Sequence, residues 1–159
     1  MQITIISVGK IKEKFYRDAI DEYAKRLSRY CKLKIVEVDD EKTVEGASEK
    51  VCNQVMAKEA DRITNHIAQD AYIIALAIEG KKYDSVSFAG KINNLGIQGK
   101  SHIVFIIGGS LGIDENLKKR ADELISFSDM TFPHQLMRVI LTEQIYRGYR
   151  IINNEPYHK

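Results

Sequence analysis

What the chain lacks narrows its class before any motif is read. Its 159 residues include only two cysteines, Cys31 and Cys52, far apart and in no CxxC spacing. That leaves no disulfide framework and no thiol redox motif, so a reduced, cytoplasmic protein is expected. No apolar run approaches the ~18 residues that a membrane-spanning helix needs. The opening stretch MQITIISVGKIKEKFY lacks a basic leader and a small-residue cleavage site, and ITIISV reads as a first strand rather than as part of a signal peptide. There is no internal repeat, no low-complexity segment and no Pro/Gly-rich linker, which predicts one domain over residues 1–159. The four histidines, His66, His102, His134 and His158, show neither HxxxH nor His/Cys spacing, so no metal is expected. No Ser/His/Asp or Cys/His arrangement stands out either. If the chain is an enzyme, the nucleophile belongs to its substrate.

What remains is an ordinary globular composition, 44% apolar and 29% charged, with an uneven charge distribution. The formal net charge is only +2, yet residues 1–34 carry nine Lys/Arg against four Asp/Glu, whereas residues 35–70 carry four against nine. Residues 133–159 are basic again, four against two. If the two ends of the chain meet in space, they form a phosphate-facing patch, with Lys10, Lys12, Lys14 and Arg17 as candidate contacts.

Five apolar, β-branched runs read as strands, at 3–8, 33–38, 71–78, 102–108 and 123–128. The third and fourth are apolar at nearly every position, as in parallel strands covered on both faces. Helical periodicity lies between them. One helix spans Ile11 to Tyr30, with Tyr16, Ile20, Tyr23 and Leu27 inward. A second is capped by Ser48, with Val51, Val55, Ile63 and Ile67 on one stripe; a third is capped by Ser85 and buries Phe88, Ile92 and Leu95. A brief helix near 114–121 precedes the fifth strand. The last begins at Pro133, as a first helical residue, and runs through Leu136, Val139, Ile140 and Tyr146 to about Tyr149. This alternation predicts a three-layer α/β fold around a mostly parallel, five- to six-stranded sheet.

The fourth strand runs into FIIGGSLGID (105–114), three glycines in a sharp turn. Ser110 stands where a dinucleotide fingerprint needs its second glycine, and the turn follows the fourth strand rather than the first. No Gly-Lys-Ser/Thr follows, so a nucleoside triphosphate loop fails too. Ligands of open parallel sheets sit beyond the carboxyl ends of the strands. That rule gathers Leu76–Gly80, Ile107–Gly112 and Phe127–Phe132 into one crevice. No lysine lies in any of the three turns, which favours a neutral or cationic nucleoside over a polyphosphate. The chain then closes on LMRVILTEQIYRGYRIINNEPYHK. Glu143 and Arg147 are four apart on a helix and can pair, in the simplest case as an exposed ion pair. Asn153 to Lys159 form a tail rich in groups that titrate or stack, suited to an unpaired base.

The turn IGGSLG, the segment SFSDMTFPH, the long terminal helix and the final PYHK together resemble the SPOUT class of methyltransferases, and within it the small stand-alone RlmH type that N3-methylates a pseudouridine in bacterial large-subunit (23S) ribosomal RNA. The resemblance extends over the whole chain and is densest from about residue 101 onward. It implies a C-terminal trefoil (α/β) knot, S-adenosyl-L-methionine as cofactor, and a homodimer in which the last helix packs at the interface and both subunits serve each RNA site. Cofactor contacts are implied at Leu76, Gly108 and the run Phe127, Ser128, Asp129, Met130, Thr131 and Phe132. Where the class often has aspartate after the leucine of the third strand, this chain has Ala77, so a contact there is made by main chain. With that chemistry, His158 serves as base or proton relay, Tyr157 stacks on the base, and Arg147 steadies charge on the imide oxygens. Two rivals are a Rossmann-type nucleotide-dependent oxidoreductase and a non-catalytic ribosome- or RNA-binding module.

Overall fold

A computed structural model describing residues 1–159 shows five parallel strands and five helices in strict alternation. These are β1 (Gln2–Val8), α1 (Lys14–Leu27), β2 (Lys32–Val38), α2 (Glu49–Thr64), β3 (Tyr72–Lys82), α3 (Ser85–Ile97), β4 (His102–Ile107), α4 (Glu115–Arg120), β5 (Glu123–Ser126) and α5 (His134–Ile152). The sheet order is β2-β1-β4-β3-β5, and every pairing is parallel. The expected α/β architecture is present, with five strands and no sixth.

Alternating side chains of the central strands feed two cores. From β1 and β4, Ile3, Ile5, Ile103 and Phe105 face one layer with Phe88, Ile92, Leu141 and Ile145 of α3 and α5. Ile6, Val8, Val104 and Ile106 face the other, against Ala60 and Ile63 of α2 and Leu117 of α4. Ile103 to Ile106 of β4 are all fully buried, which accounts for the unbroken apolar run of a strand covered on both sides.

Helix termini depart in detail from the sequence reading. Ser48 does cap α2, its hydroxyl accepting from Val51 N–H at 3.3 Å, but Val51 itself is 41% exposed because the buried stripe is Val55, Ala60 and Ile63. Asp84 rather than Ser85 caps α3, accepting from Ser87 N–H at 2.6 Å. Ser85 instead meets Gln144 of α5 at 2.7 Å. α1 is shorter than its periodicity, and Pro133 is the N-cap of α5 rather than its first residue.

The path into α5 carries the functional geometry. β5 is an edge strand beside β3, yet α5 starts beyond β3 and β4, against β1. Arg138 is 1% exposed. Its guanidinium donates to Val8 O at 2.7 Å, to Gly9 O at 2.8 Å and to the Glu37 carboxylate at 2.8 Å. Residues 127–133 therefore cross the carboxyl ends of β3 and β4 to reach this anchor. Two stripes of α5 are apolar. Leu141, Ile145, Tyr146 and Tyr149 are buried in this subunit, whereas Leu136, Val139 and Ile140 are half-exposed.

Candidate functional site: a main-chain crevice and a pinned tail

The three strand ends grouped by the sequence reading do converge. They wall a crevice of about 440 Å³ lined by Leu76–Glu79, Ile107–Ile113 and the 125–132 segment, within the size range of sites for small organic ligands. The first wall is not a simple strand end. β3 pairs with β5 through Leu76↔Ile125, then leaves the ladder and rejoins it at Lys81↔Ile125. Ala77 to Gly80 thus form a four-residue bulge whose first three members line the crevice. Gly80 is what permits the return: a Cβ there would lie 2.6 Å from the Ile125 backbone. Bulges of this kind commonly re-aim residues beside functional sites.

The second wall is the glycine turn. Gly112 has φ +91° and its N–H donates to Gly109 O at 3.0 Å. A Cβ at Gly108 would lie 2.7 Å from the Gly112 carbonyl carbon. The glycines are therefore needed first to close the turn on itself, and through that to present its main chain to a ligand. Behind it, Glu59 of α2 is 5% exposed, stands where a Cβ at Gly109 would be 3.2 Å from its carboxylate, and accepts from Glu41 N–H at 3.2 Å. Burial pushes its carboxyl above the ordinary carboxylate range.

The third wall is the crossing segment. Ser128 Oγ accepts from Met130 N–H at 2.9 Å and Ser128 O accepts from Ser126 Oγ at 3.1 Å, which shapes the turn from within. Leu76, Gly108, Phe127, Ser128, Met130, Thr131 and Phe132 all line the crevice; Asp129 does not, its carboxylate turning outward to Lys82 at 2.6 Å. Three lining side chains went unnoticed in the sequence. Met137 and His134 enter from the first turn of α5, and Lys118 enters from α4. Burial, with Arg138 nearby, holds the His134 imidazole below the ordinary histidine range. No local pattern announces these residues, because only the crossing brings α5 to the crevice.

Arg147, Tyr157 and His158 are brought together with one another but not to this crevice. Arg147 donates to Glu143 Oε1 from Nε at 3.0 Å and from Nη2 at 2.6 Å. The pair is largely buried, at 25% and 16% exposure, and so is not the exposed ion pair of the simplest sequence reading. Tyr157 donates to the same carboxylate oxygen at 3.1 Å, and its ring lies 4.7 Å from the Arg147 guanidinium. Burial and Glu143 together push the Tyr157 phenol well above its usual range. Arg147 Nη1 stands 3.2 Å from His158 Nδ1. Arginine only donates, so Nδ1 accepts and a neutral ring carries its proton on Nε2. His158 lines a second cavity, of about 570 Å³, with Tyr83, Phe88, Ile140 and Gln144, on the other side of the Ile125–Phe127 segment.

The tail is held rather than frayed. Asn154 sits at φ 55°, Asn154 N–H donates to Ile151 O at 3.0 Å, and Glu155 N–H to Arg150 O at 2.8 Å. This is a Schellman cap with asparagine in the left-handed position. Tyr30 and Arg150 grip the Glu155 carboxylate, and Arg150 Nη2 donates to Pro156 O at 2.7 Å.

The segment that carries the basic residues near the start touches the first turn of α5. Lys12 N–H donates to Gln135 of α5 at 3.0 Å, and Lys10, Lys12, Lys14 and Arg17 are all exposed. Lys14 pairs with Asp18 at 2.7 Å and Arg17 with Ile11 O at 2.8 Å. No group of three or more His, Cys, Asp or Glu side chains is placed to hold a metal ion, and no helix is long and apolar enough to cross a membrane.

The fold and site define an α/β protein with a ligand-sized crevice of main-chain turns and mostly apolar side chains at the carboxyl edge of a parallel sheet, and its strand order differs from that of the dinucleotide fold. Known proteins sharpen that class. A family model described as "Predicted SPOUT methyltransferase" matches residues 1–158, and the chain belongs to the SPOUT methyltransferase family. Proteins of Bifidobacterium adolescentis, Clostridium beijerinckii and Clostridium tetani, each named ribosomal RNA large subunit methyltransferase H, are 65%, 58% and 56% identical to it over 159 residues, covering 100% of both chains in each case. The chain is thus a methyltransferase, and the oxidoreductase and non-catalytic readings fall.

Proposed function

We propose that this methyltransferase acts on large-subunit ribosomal RNA in the cytoplasm, at N3 of a pseudouridine, with S-adenosylmethionine as donor and with each site completed by a second copy of the chain. The observation that carries the reading is the crevice itself. Its size, its apolar lining and its Gly108 turn, which a single Cβ would fill, suit a nucleoside held by main chain. Leu76, Gly108 and the run from Phe127 to Phe132 hold the donor, with Asp129 acting through its backbone. When bound, that cofactor supplies an electrophilic methyl on a sulfonium. The crossing of residues 127–133 over β3 and β4 supports the implied knot.

The rest of the chemistry lies in the tail. A pseudouridine N3–H is a weak acid and has to lose its proton for the nitrogen to attack. His158 takes or relays that proton only after its ring has let go of Arg147, because the Arg147 contact occupies Nδ1. Arg147, freed in the same movement, faces the charge developing on the imide oxygens, and Tyr157 stacks on the base. Since the tail and the crevice lie apart in one subunit, the partner's tail serves this subunit's crevice. The half-exposed Leu136, Val139 and Ile140 stripe is the interface. Lys10, Lys12, Lys14 and Arg17 contact phosphate.

Mixing two inactive variants tests this reading. Gly108→Val forces the glycine turn open and displaces that wall of the crevice, and Arg147→Ala with His158→Ala empties the tail. Each alone is expected to leave labelled methyl off ribosomes lacking the modification. Mixed dimers, each with one intact crevice and one intact tail, recover up to about half of the activity per mixed dimer, as one working site in two predicts. No recovery on mixing places crevice and tail in the same subunit.

A further inference from the structure

The crevice is lined almost wholly by main chain and uncharged side chains. Glu79 and Lys118 are the only carboxylate and ammonium among its lining residues. They come from opposite walls, Glu79 from the β3 bulge and Lys118 from α4 after the glycine turn, and they meet at 2.7 Å. Lys118 is 16% exposed and also touches Glu115 at 3.0 Å. An ammonium has three protons to donate, so two are engaged and the third is available. Glu79 gives Lys118 one carboxylate oxygen, and its side chain is 56% exposed, so the carboxylate is accessible at the crevice mouth. Burial works against charge on Lys118, but Glu79 and Glu115 outweigh it and hold the ammonium above its ordinary range; Lys118 in turn holds the Glu79 carboxyl below the carboxylate range. Both groups stay charged across the neutral range.

We infer that Glu79 and Lys118 form a receptor for an α-amino acid zwitterion, Lys118 taking the carboxylate and Glu79 the ammonium of the methionyl end of the cofactor. This rests on the cofactor reading above and adds residues to it. An isolated charge pair recognises nothing by itself. A zwitterion whose two charges match in sign and order can insert into such a pair and satisfy both members, whereas an adenosine lacking that end cannot. The apolar interior, with Leu76, Ile107 and Phe127, is left to the purine. The pair also bridges the two walls, so it holds the mouth in shape before ligand arrives, and pre-organisation of this kind favours affinity.

Calorimetric titration with two ligands separates the possibilities. S-Adenosylhomocysteine carries the amino acid end; 5′-methylthioadenosine has the same adenosine half without it. Lys118→Met is expected to weaken S-adenosylhomocysteine by about 10-fold or more, the loss of one hydrogen bond to a charged group, while methylthioadenosine changes by less than about 3-fold. Lys118→Arg, which keeps the charge, recovers most of the affinity, and Glu79→Gln reproduces the selective loss. Thermal unfolding without ligand confirms that each variant is folded. Equal weakening of both ligands places the pair on the ribose or on the crevice shape and overturns the inference, as does full retention of both affinities. Failure of both ligands to bind the unaltered protein overturns the cofactor reading, and this inference with it.

Discussion

Gly108→Ala is the most exacting test of how the crevice is built. The added methyl would lie 2.7 Å from the Gly112 carbonyl carbon, 2.8 Å from its oxygen and 2.8 Å from Ile113 Cγ1. Carbon atoms rest at ~3.5–4.0 Å from one another, so the turn has to open by about 1 Å. Two of the three obstacles are backbone, and no rotamer change relieves them. Overpacking of this kind costs ~1–3 kcal/mol. In a chain of this length each kcal/mol lowers Tm by ~2–4 °C, which predicts a melting temperature about 2–12 °C below that of the parent. Because the displaced main chain is also a wall of the crevice, affinity for S-adenosylhomocysteine falls by about 10-fold or more, or ~1.4 kcal/mol. Gly112→Ala is the informative control. Gly112 has φ +91°, and nothing lies within 4 Å of the place its Cβ would take, so its cost of ~1–2 kcal/mol is conformational and drives no wedge into the turn. Scanning calorimetry with and without ligand reads both quantities. A Gly108→Ala protein that melts and binds like the parent refutes the closed turn.

Other expectations follow from buried groups. Arg138→Met strips the donor from Val8 O and Gly9 O and leaves the Glu37 carboxylate without its cation, at a cost of about 3 kcal/mol in denaturant unfolding; a loss below ~1 kcal/mol removes Arg138 as the anchor of the crossing segment. Burial pushes the Cys31 thiol up to about 11, so at pH 8 a disulfide reagent labels Cys52 and reaches Cys31 only in denaturant; two fast thiols in the folded protein contradict that environment. The raised folded-state value of Glu59 means that its stability contribution is full below the unfolded carboxyl value and is lost as pH rises through the folded one. Glu59→Gln therefore leaves Tm nearly unchanged at pH 4 and raises it progressively towards neutrality, and a pH-independent difference refutes the assignment.

Much of this was legible along the chain. Ile103 to Ile107 announce a doubly covered strand, Ser48 a helix start, and the three turns gathered by the carboxyl-edge rule do line one crevice. The misses share a cause in long-range packing. Leu136, Val139, Ile140 and Tyr146 mark a helix by their spacing, but periodicity does not say that this subunit buries Tyr146 and leaves the other three half-exposed. The Ala77–Gly80 bulge looks like a strand end because nothing local shows that Lys81 rejoins the ladder beside Ile125. Lys118 and His134 carry no motif; Lys118 reaches the crevice on α4, beyond the glycine turn, and His134 does so because residues 127–133 cross two strands to meet Arg138's anchor on β1. The Arg147–Glu143 pair was visible as an i, i+4 spacing, but its burial under Tyr157 depends on the Schellman turn at Asn154.

Mass spectrometry of ribosomal RNA from cells with and without this protein is the most direct test of the proposed reaction. One methyl is expected to disappear, from N3 of a single pseudouridine in the large-subunit RNA, and to return when purified protein and S-adenosylmethionine are added to ribosomes from the deficient cells. An unchanged methylation map, or a methyl lost from another RNA or another atom, would contradict it.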